Sequence, residues 1–147
     1  MIYITMFFVA FISGSLFPMG SEALFAYYIK NENSIYLLLI IATIGNVLGS
    51  FLNYYLGLKG EKFLEDKNIL NKKSLNKAKD KFNKFGGYSL LLSSLPIIGD
   101  PLTFIAGVLE YNIKKFFIFV TISKFFRYLI IALITLSYFW YIDIIKL

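Results

Sequence analysis

Four charged side chains stand within otherwise apolar stretches and are the residues best placed to do chemistry: Glu22, Asp100, Lys124 and Arg127. Charges inside an apolar segment are costly, so they usually face one another or a water-filled cavity. Lys124 and Arg127 are about one helical turn apart and therefore share a face of their helix. The spacing predicts that Asp100 pairs with Lys124 or Arg127, and that Glu22 is the second acid of the same site. Two carboxylates can carry protons, and two cations can hold a phosphate.

A structural role for the same charges is the alternative. Glu22 and Asp100 each follow a break in an apolar segment, where a carboxylate can cap the next helix and complement its dipole. Lys124 and Arg127 can snorkel to the membrane surface if their helix begins late. Capping and function can coexist, and the residues alone leave the choice open.

The segments that carry these charges form four apolar blocks, at residues 2–29, 35–58, 85–109 and 116–142. The second and fourth blocks can span a bilayer core of about 30 Å, which takes about 20 helical residues. The first and third blocks are interrupted by the hairpin breaks Pro18, Gly20, Pro96, Gly99 and Pro101. Because proline ends or kinks a helix, each interrupted block is predicted to be a re-entrant helical hairpin.

The two interrupted blocks align without gaps at one constant offset, which places Ser15 on Ser93 and Glu22 on Asp100. Each half thus consists of a broken block followed by a spanning block. If each hairpin returns to its own side, the two halves are inverted relative to each other. The predicted fold is an all-α integral membrane protein, built as an inverted repeat of a re-entrant hairpin plus a transmembrane helix. Paired broken helices of this kind point to the binding site of a transporter.

Composition narrows the function class. The chain of 147 residues is 58% apolar and only 16% charged, which is far from the balance of a soluble domain. It contains neither cysteine nor histidine, so thiolate chemistry, Ser/His catalysis and the common zinc and haem ligands are excluded. No nucleophile–base pair is evident, so we predict no enzyme, no catalytic residue, no metal and no cofactor.

The net charge of +6 is concentrated in one place, since nine of the fifteen basic residues lie between Lys59 and Lys84. A single basic loop between apolar blocks is typical of a cytoplasmic connection, and argues against nucleic acid as a partner. Apolar residues at helical spacing follow Ser74, a candidate N-cap, and end before Gly86; they are Leu75, Ala78, Phe82 and Phe85. The connector is therefore predicted to be an amphipathic helix at the cytoplasmic surface, or simply a linker.

The chain is accordingly predicted to be a single membrane domain, residues 1–147, with repeats at 1–58 and 85–147 and the basic connector at 59–84. In the first repeat Asn46, Ser50 and Asn53 form a polar stripe at helical spacing, which is predicted to line the same path as the charges. Gly45 and Gly49 form a small-xxx-small contact face. This face is a candidate seam for a homodimer.

Three segments give the chain a family resemblance: "FPMGSEALF", "ATIGNVLGSFLNYYLG" and "SSLPIIGDPLTFIAGVL". It resembles the DedA (VTT-domain, SNARE-associated) membrane proteins over nearly its whole length, most closely the small YqaA-type branch. The resemblance implies inverted repeats of hairpin plus helix, and a role in moving lipids, including polyprenyl phosphates, between leaflets. Glu22 matches the essential acid of the first hairpin. Ser93 and Gly99 stand where larger members have arginines, so any phosphate contact would fall to Lys124 and Arg127.

The leading functional prediction is a flippase or scramblase for a lipid or lipid phosphate, with proton linkage as an open feature. Its predicted location is the bacterial cytoplasmic (inner) membrane, crossed several times. Its expected partners are membrane lipids, among them polyprenyl phosphate, together with protons and a second copy of the chain. A small-solute or ion transporter using the same cavity, and a non-transporting scaffold, are the alternatives.

Overall fold

The structure is a computed structural model that describes residues 1–15, 20–31, 34–66, 72–95 and 99–145. Within these ranges the regular structure is helical: α1 (Ile2–Gly14), α2 (Ser21–Lys30), α3 (Ile35–Asp66), α4 (Lys72–Leu91), a 3₁₀ turn (Leu92–Ser94), α5 (Gly99–Val108) and α6 (Ile113–Ile145). The all-helical fold class is therefore confirmed for the described part of the chain.

The helices α3 and α6 form the centre of the molecule and run antiparallel. Tyr54, late in α3, packs on Phe116 near the start of α6 with ring centroids 4.7 Å apart. Asn46, earlier in α3, reaches Tyr128, later in α6. Both helices are long and apolar enough to cross a membrane, over 29 and 30 residues. At about 1.5 Å per residue each is longer than a hydrocarbon core of about 30 Å.

Helix α1 lies along the first half of α3 and runs parallel to it. The backbone of Phe7 packs on Gly45, and the backbone of Phe11 packs on Gly49, one turn further along both helices. The carbonyl of Gly14, the last residue of α1, accepts a hydrogen bond from Asn53. Helix α1 therefore ends about halfway along the apolar span of α3.

Helix α2 begins at the same level but packs on the other central helix. Its first residue, Ser21, is hydrogen-bonded to Tyr128 near the middle of α6, and its last residue, Lys30, lies over the ring of Phe139. It thus runs parallel to α6 and opposite to α1. The two short helices form a hairpin whose ends meet near the midpoints of α3 and α6.

The last turns of α4 occupy the opposite half of α6. Gly87 packs on the ring of Phe119, and the carbonyl of Leu91 accepts a hydrogen bond from Ser123. Helix α4 therefore runs parallel to α6 and, with the 3₁₀ turn, ends close to the midpoint of that helix.

Helix α5 completes the second hairpin on α3, where Thr103 accepts a hydrogen bond from Asn53. In each hairpin the first helix packs on the long helix of its own half, and the second helix packs on the long helix of the other half. Thus α1 and α5 lie on α3, whereas α2 and α4 lie on α6. The element boundaries follow the offset found in the sequence. The number of residues from the start of α2 to the start of α5 equals the number from Glu22 to Asp100. The same number separates the start of α3 from the start of α6.

Small residues allow α1 to approach α3 closely. A Cβ on Gly49 would collide with the carbonyl of Phe11, and one on Gly45 would collide with that of Phe7. The predicted small-residue contact face is confirmed, but its partner is α1 of the same chain. The proposal that Gly45 and Gly49 form a homodimer seam is therefore wrong, since that face is already covered.

We expect Gly49→Ala to destabilise the protein by about 1–3 kcal/mol, because the added methyl group must push α1 away from α3. Gly60→Ala in the same helix is the matched control, since its Cβ would meet only the ring of Phe104 at 3.9 Å. That control should be neutral or slightly stabilised through its higher helix propensity. Thermal unfolding of both variants in one detergent makes the comparison, and equal melting temperatures would contradict the close-packed contact.

Two sequence expectations about helix ends are wrong. Helix α4 already includes Ser74, so that residue is not its N-cap, and it continues through Gly86 to Leu91. The basic segment and the first arm of the second hairpin are thus one helix. The glycines do not stop it because Gly87 lets α4 pack closely on Phe119, so tertiary contact outweighs the low helix propensity of glycine.

The predicted hairpin breaks are only partly visible. Pro18 and Pro96 lie outside the described residues. Gly20 directly precedes α2 and Gly99 begins α5, in agreement with a break at each position. Pro101 does not break a helix, because it lies in the first turn of α5, where proline is tolerated since the N–H there has no helical partner.

Candidate functional site

The first component of the site is a buried ion pair between α5 and α6. Lys124 Nζ lies 3.2 Å from Asp100 Oδ1, with the lysine side chain 0% exposed and the aspartate 14% exposed. Lys124 lies near the middle of the apolar span of α6, and Asp100 lies in the first turn of α5. The predicted pairing of Asp100 is confirmed, with Lys124 as the partner.

The second component is an ion pair between Arg127 and Glu22, which joins α6 to α2. Its side chains are more accessible, at 13% exposed for the arginine and 29% for the glutamate. Glu22 lies in the first turn of α2, as Asp100 does in α5. The sequence left Arg127 as an alternative partner for Asp100, whereas the structure gives it to Glu22.

Both acids therefore lie at the N-terminal end of a short helix, where the helix dipole favours negative charge. Helix α2 has no side-chain hydrogen bond at its N-cap, Gly20, and the carboxylate of Glu22 instead pairs with Arg127. Capping alone thus does not account for this acid. The two ion pairs place two cations of α6 within one helical turn, each facing the start of a different hairpin helix.

The predicted polar stripe on α3 is buried, with Asn46, Ser50 and Asn53 all 0% exposed. Its hydrogen-bond donors join helices: Asn53 donates to Gly14 and, at 3.2 Å, to Thr103, while Ser50 donates to Gly14 at 3.5 Å and, within α3, to the backbone of Asn46. The side-chain oxygens of Asn46 and Asn53 accept no hydrogen bond from the described residues. The stripe therefore lies between the inner ends of the two hairpins and holds both ends on α3 by hydrogen bonds.

Tyr128 is a residue of the site that the sequence did not indicate. Its fully buried hydroxyl lies 2.9 Å from Ser21 Oγ and accepts a hydrogen bond from Asn46 at 3.1 Å. Ser21 in turn donates to Ser13 at the end of α1, so one hydroxyl network joins four helices. The available signal was the helical spacing of Tyr128 from Lys124, since residues four apart share a face.

Removal of this hydroxyl in Tyr128→Phe should lower the unfolding free energy by roughly 1–3 kcal/mol, because Ser21 and Asn46 lose their shared buried partner. Tyr138→Phe is the matched control, because that tyrosine lies on the same helix and is 60% exposed. Thermal unfolding should shift for the first variant and not for the second. Equal melting temperatures would mean that the network contributes nothing to stability.

Comparison with known proteins identifies the family. The chain matches the family model described as VTT domain over residues 3–137. The chain belongs to the VTT-domain family. This finding confirms the DedA family resemblance drawn from the three sequence segments.

Two kinds of relative accompany this VTT-domain match. An uncharacterized protein of Haemophilus influenzae is 34% identical over 140 residues, which cover 90% of this chain and 85% of the relative. The inner membrane protein YqaA of Escherichia coli K12, and that of Shigella flexneri, are each 31% identical over 131 residues, or 87% of both chains. No solved structure matches the chain. The predicted YqaA-type branch is thus supported, and the chain is a VTT-domain membrane protein.

This VTT-domain chain also has a third charged cluster, where the connector helix meets the C-terminal end of α3. Lys79 of the connector helix lies 3.0 Å from Glu61 at the end of α3, and 3.0 Å from Glu110 after α5. Burial alone would lower the pKa of Lys79, but the hydrogen bonds and charges of the two glutamates outweigh it and raise the pKa. The cluster fixes α4 to the core, and this stabilisation persists until the pH rises through the raised pKa.

The side chains of the site supply charges and exchangeable protons. In the described part of the chain, no group of three or more Asp or Glu side chains comes together that could hold a metal ion. What the site offers is two carboxylates that can titrate and two cations that can hold an anion, all near the middle of α6.

Proposed function

We propose that this VTT-domain protein is a membrane transporter that moves a lipid or lipid phosphate between leaflets of the bacterial inner membrane. The observation that carries the proposal is the pair of ion pairs, Lys124–Asp100 and Arg127–Glu22, at the mid-length of an apolar spanning helix. Charges at that depth are retained in membrane proteins chiefly for substrate and ion pathways. The names of the E. coli and Shigella relatives support the inner-membrane location.

The proposal includes a membrane arrangement in which each hairpin is re-entrant and the two halves form an inverted repeat. The antiparallel course of α3 and α6 supports it, as do the hairpin ends near their midpoints and the constant offset between the two halves. The connector then lies on the cytoplasmic side, because its concentration of lysines follows the positive-inside rule. The polar ends of both hairpins meet near the bilayer centre, as at the substrate sites of transporters with broken helices.

Within this arrangement Arg127 and Glu22 are the groups that a headgroup reaches. Their side chains are partly exposed, whereas Lys124 is fully buried. A lipid phosphate entering from the membrane would compete with Glu22 for Arg127, whose planar guanidinium suits a phosphate. Lys124 supplies a second positive charge one turn away, held in place by Asp100. Proton uptake by the displaced Glu22 would link transport to pH.

The test is translocation by the purified protein in liposomes, with a fluorescent phospholipid and a fluorescent polyprenyl phosphate measured in parallel. Wild-type protein is expected to move at least one of the two well above protein-free liposomes. Release of trapped fluorescent solutes and ions from the same liposomes should stay at background. Lipid movement with tight solute retention supports the proposal, and the absence of movement for both lipids overturns it.

Two alternative functions remain distinct outcomes of that test. Solute or ion flux without lipid movement would indicate a transporter that uses the same charges for a smaller substrate. A non-transporting scaffold is favoured by one observation, the use of the Asn46–Ser50–Asn53 stripe in helix–helix hydrogen bonds. In the scaffold, the stripe holds the hairpin ends on α3, and the Arg127–Glu22 pair only holds α2 on α6.

A further inference from the structure

The outer face of the first hairpin carries a groove that the charged site does not use. It lies between α2 and the second half of α6 and has a volume of about 520 Å³. The residues that line it include Ala23, Ala26, Tyr27, Lys30, Thr135 and Tyr138. Two alanines line it beside tyrosines that are 59% and 60% exposed, so the groove is apolar and open at the surface of the protein.

The two ends of this groove differ in charge. Lys30, the last residue of α2, lies at one end of the groove. No carboxylate of the described residues lies within ion-pair distance of its ammonium group. Its ammonium lies 5.5 Å from the centre of the Phe139 ring, at the edge of the groove. At the other end, next to Ala23, stands Glu22, which pairs with Arg127. A cation at the rim and an apolar floor complement a molecule with an anionic head and a long tail.

The length of the groove also suits one lipid leaflet. Helix α2 has 10 residues, which span about 15 Å at 1.5 Å per residue. Half of a hydrocarbon core of about 30 Å is the same length. Because α2 runs from the midpoint of α6 to the end opposite the connector, the groove covers the leaflet opposite the connector.

We propose that this groove is a binding site for an anionic phospholipid such as phosphatidylglycerol. Lys30 holds the phosphate at the membrane surface, and one acyl chain lies over Ala23 and Ala26 with its end towards the Glu22–Arg127 pair. The groove is then the site where a lipid waits in, or leaves to, the leaflet opposite the connector. The role of the groove in lipid movement rests on the proposed function, whereas the binding of phosphatidylglycerol does not.

The experiment is photocrosslinking in lipid nanodiscs with a phosphatidylglycerol whose acyl chain carries a diazirine. Crosslinked peptides are mapped by mass spectrometry, and a phosphatidylcholine with the same chain is the reference lipid. Capture on α2 and the second half of α6 should favour phosphatidylglycerol by about fivefold, the effect expected of one lysine at an anionic surface. Equal capture of the two lipids would overturn the proposal and reduce the groove to ordinary lipid contact.

Matched variants test both ends of the site. Lys30→Gln should remove the preference for phosphatidylglycerol, whereas Lys30→Arg should keep it. Ala26→Trp should fill the groove and reduce capture of both lipids. The control is Ile4→Trp in a second apolar groove of about 350 Å³ between α1 and α3, which has no lysine or arginine in its lining. A preference that survives Lys30→Gln, or capture that survives Ala26→Trp, would contradict the assignment.

The binding assay separates this inference from the proposed function. Lys115→Gln should keep the capture of phosphatidylglycerol, because it removes an exposed positive charge at the opposite end of α6. Selective capture by a wild-type protein that moves no lipid would retain the site and refute transport. Translocation without selective capture would retain transport and refute the site.

Discussion

Asp100→Asn is expected to lower the unfolding free energy by roughly 3–5 kcal/mol, the usual effect of leaving a buried charge without its partner. Lys124 is 0% exposed and has Asp100 as its salt-bridge partner. Asparagine has nearly the same shape as aspartate, so the variant removes the charge with little change in packing. Thermal unfolding in one detergent measures the effect, and the loss of melting temperature should exceed that of Tyr128→Phe.

The reciprocal and double variants are the controls for this result. Lys124→Met should destabilise less, because Asp100 is 14% exposed and can take up a proton once its partner is gone. Asp100→Asn/Lys124→Met removes both charges and should recover much of the stability lost in Asp100→Asn. A double variant whose loss of stability equals the sum of the two single losses would show that the charges do not interact. A stable double variant that moves no lipid would show that the pair is needed for transport and not for folding.

The sequence was sufficient to predict the parts of the fold that depend on pattern. Apolar blocks of spanning length give α3 and α6, and the repeat at a constant offset gives the equivalent starts of α2 and α5. The pairing of Asp100 also follows from the sequence, because an acid in an apolar segment needs a cation nearby. All of these inferences use either the pattern of apolar residues along the chain or the free-energy cost of a charge within an apolar segment.

The features that the sequence did not reveal depend on which helices meet. In the sequence Tyr128 is one aromatic residue among many. Only the folded structure shows that its hydroxyl contacts Ser21 and Asn46. The sequence around Gly49 is equally compatible with a helix contact between two chains and with one inside a single chain, since a small residue does not specify its partner. The assignment of Arg127 to Glu22 needs the first hairpin to lie on α6, a contact between helices that are distant in sequence.

The proposed transport role makes its strongest claim for Arg127. Arg127→Gln is expected to reduce the initial rate of lipid translocation by about tenfold or more, because a charge-assisted contact to phosphate is worth about 1.5–3 kcal/mol. Its effect on stability should be smaller than that of Asp100→Asn, since Arg127 and Glu22 are partly exposed and water can solvate the glutamate left behind. Translocation in liposomes and thermal unfolding are measured on the same preparations.

Lys115→Gln is the matched control for Arg127→Gln, because it removes one positive charge from an exposed position of the same helix. Its translocation rate should equal that of wild type, which rules out a general effect of charge on membrane insertion. Arg127→Lys should retain part of the activity, since lysine keeps the charge but not the planar fork of donors. If Arg127→Gln moves lipid at the wild-type rate, the cation does not contact the headgroup and the ion pair only holds α2 on α6. If Arg127→Gln fails to fold while Lys115→Gln folds, the scaffold alternative accounts for the pair better than transport does.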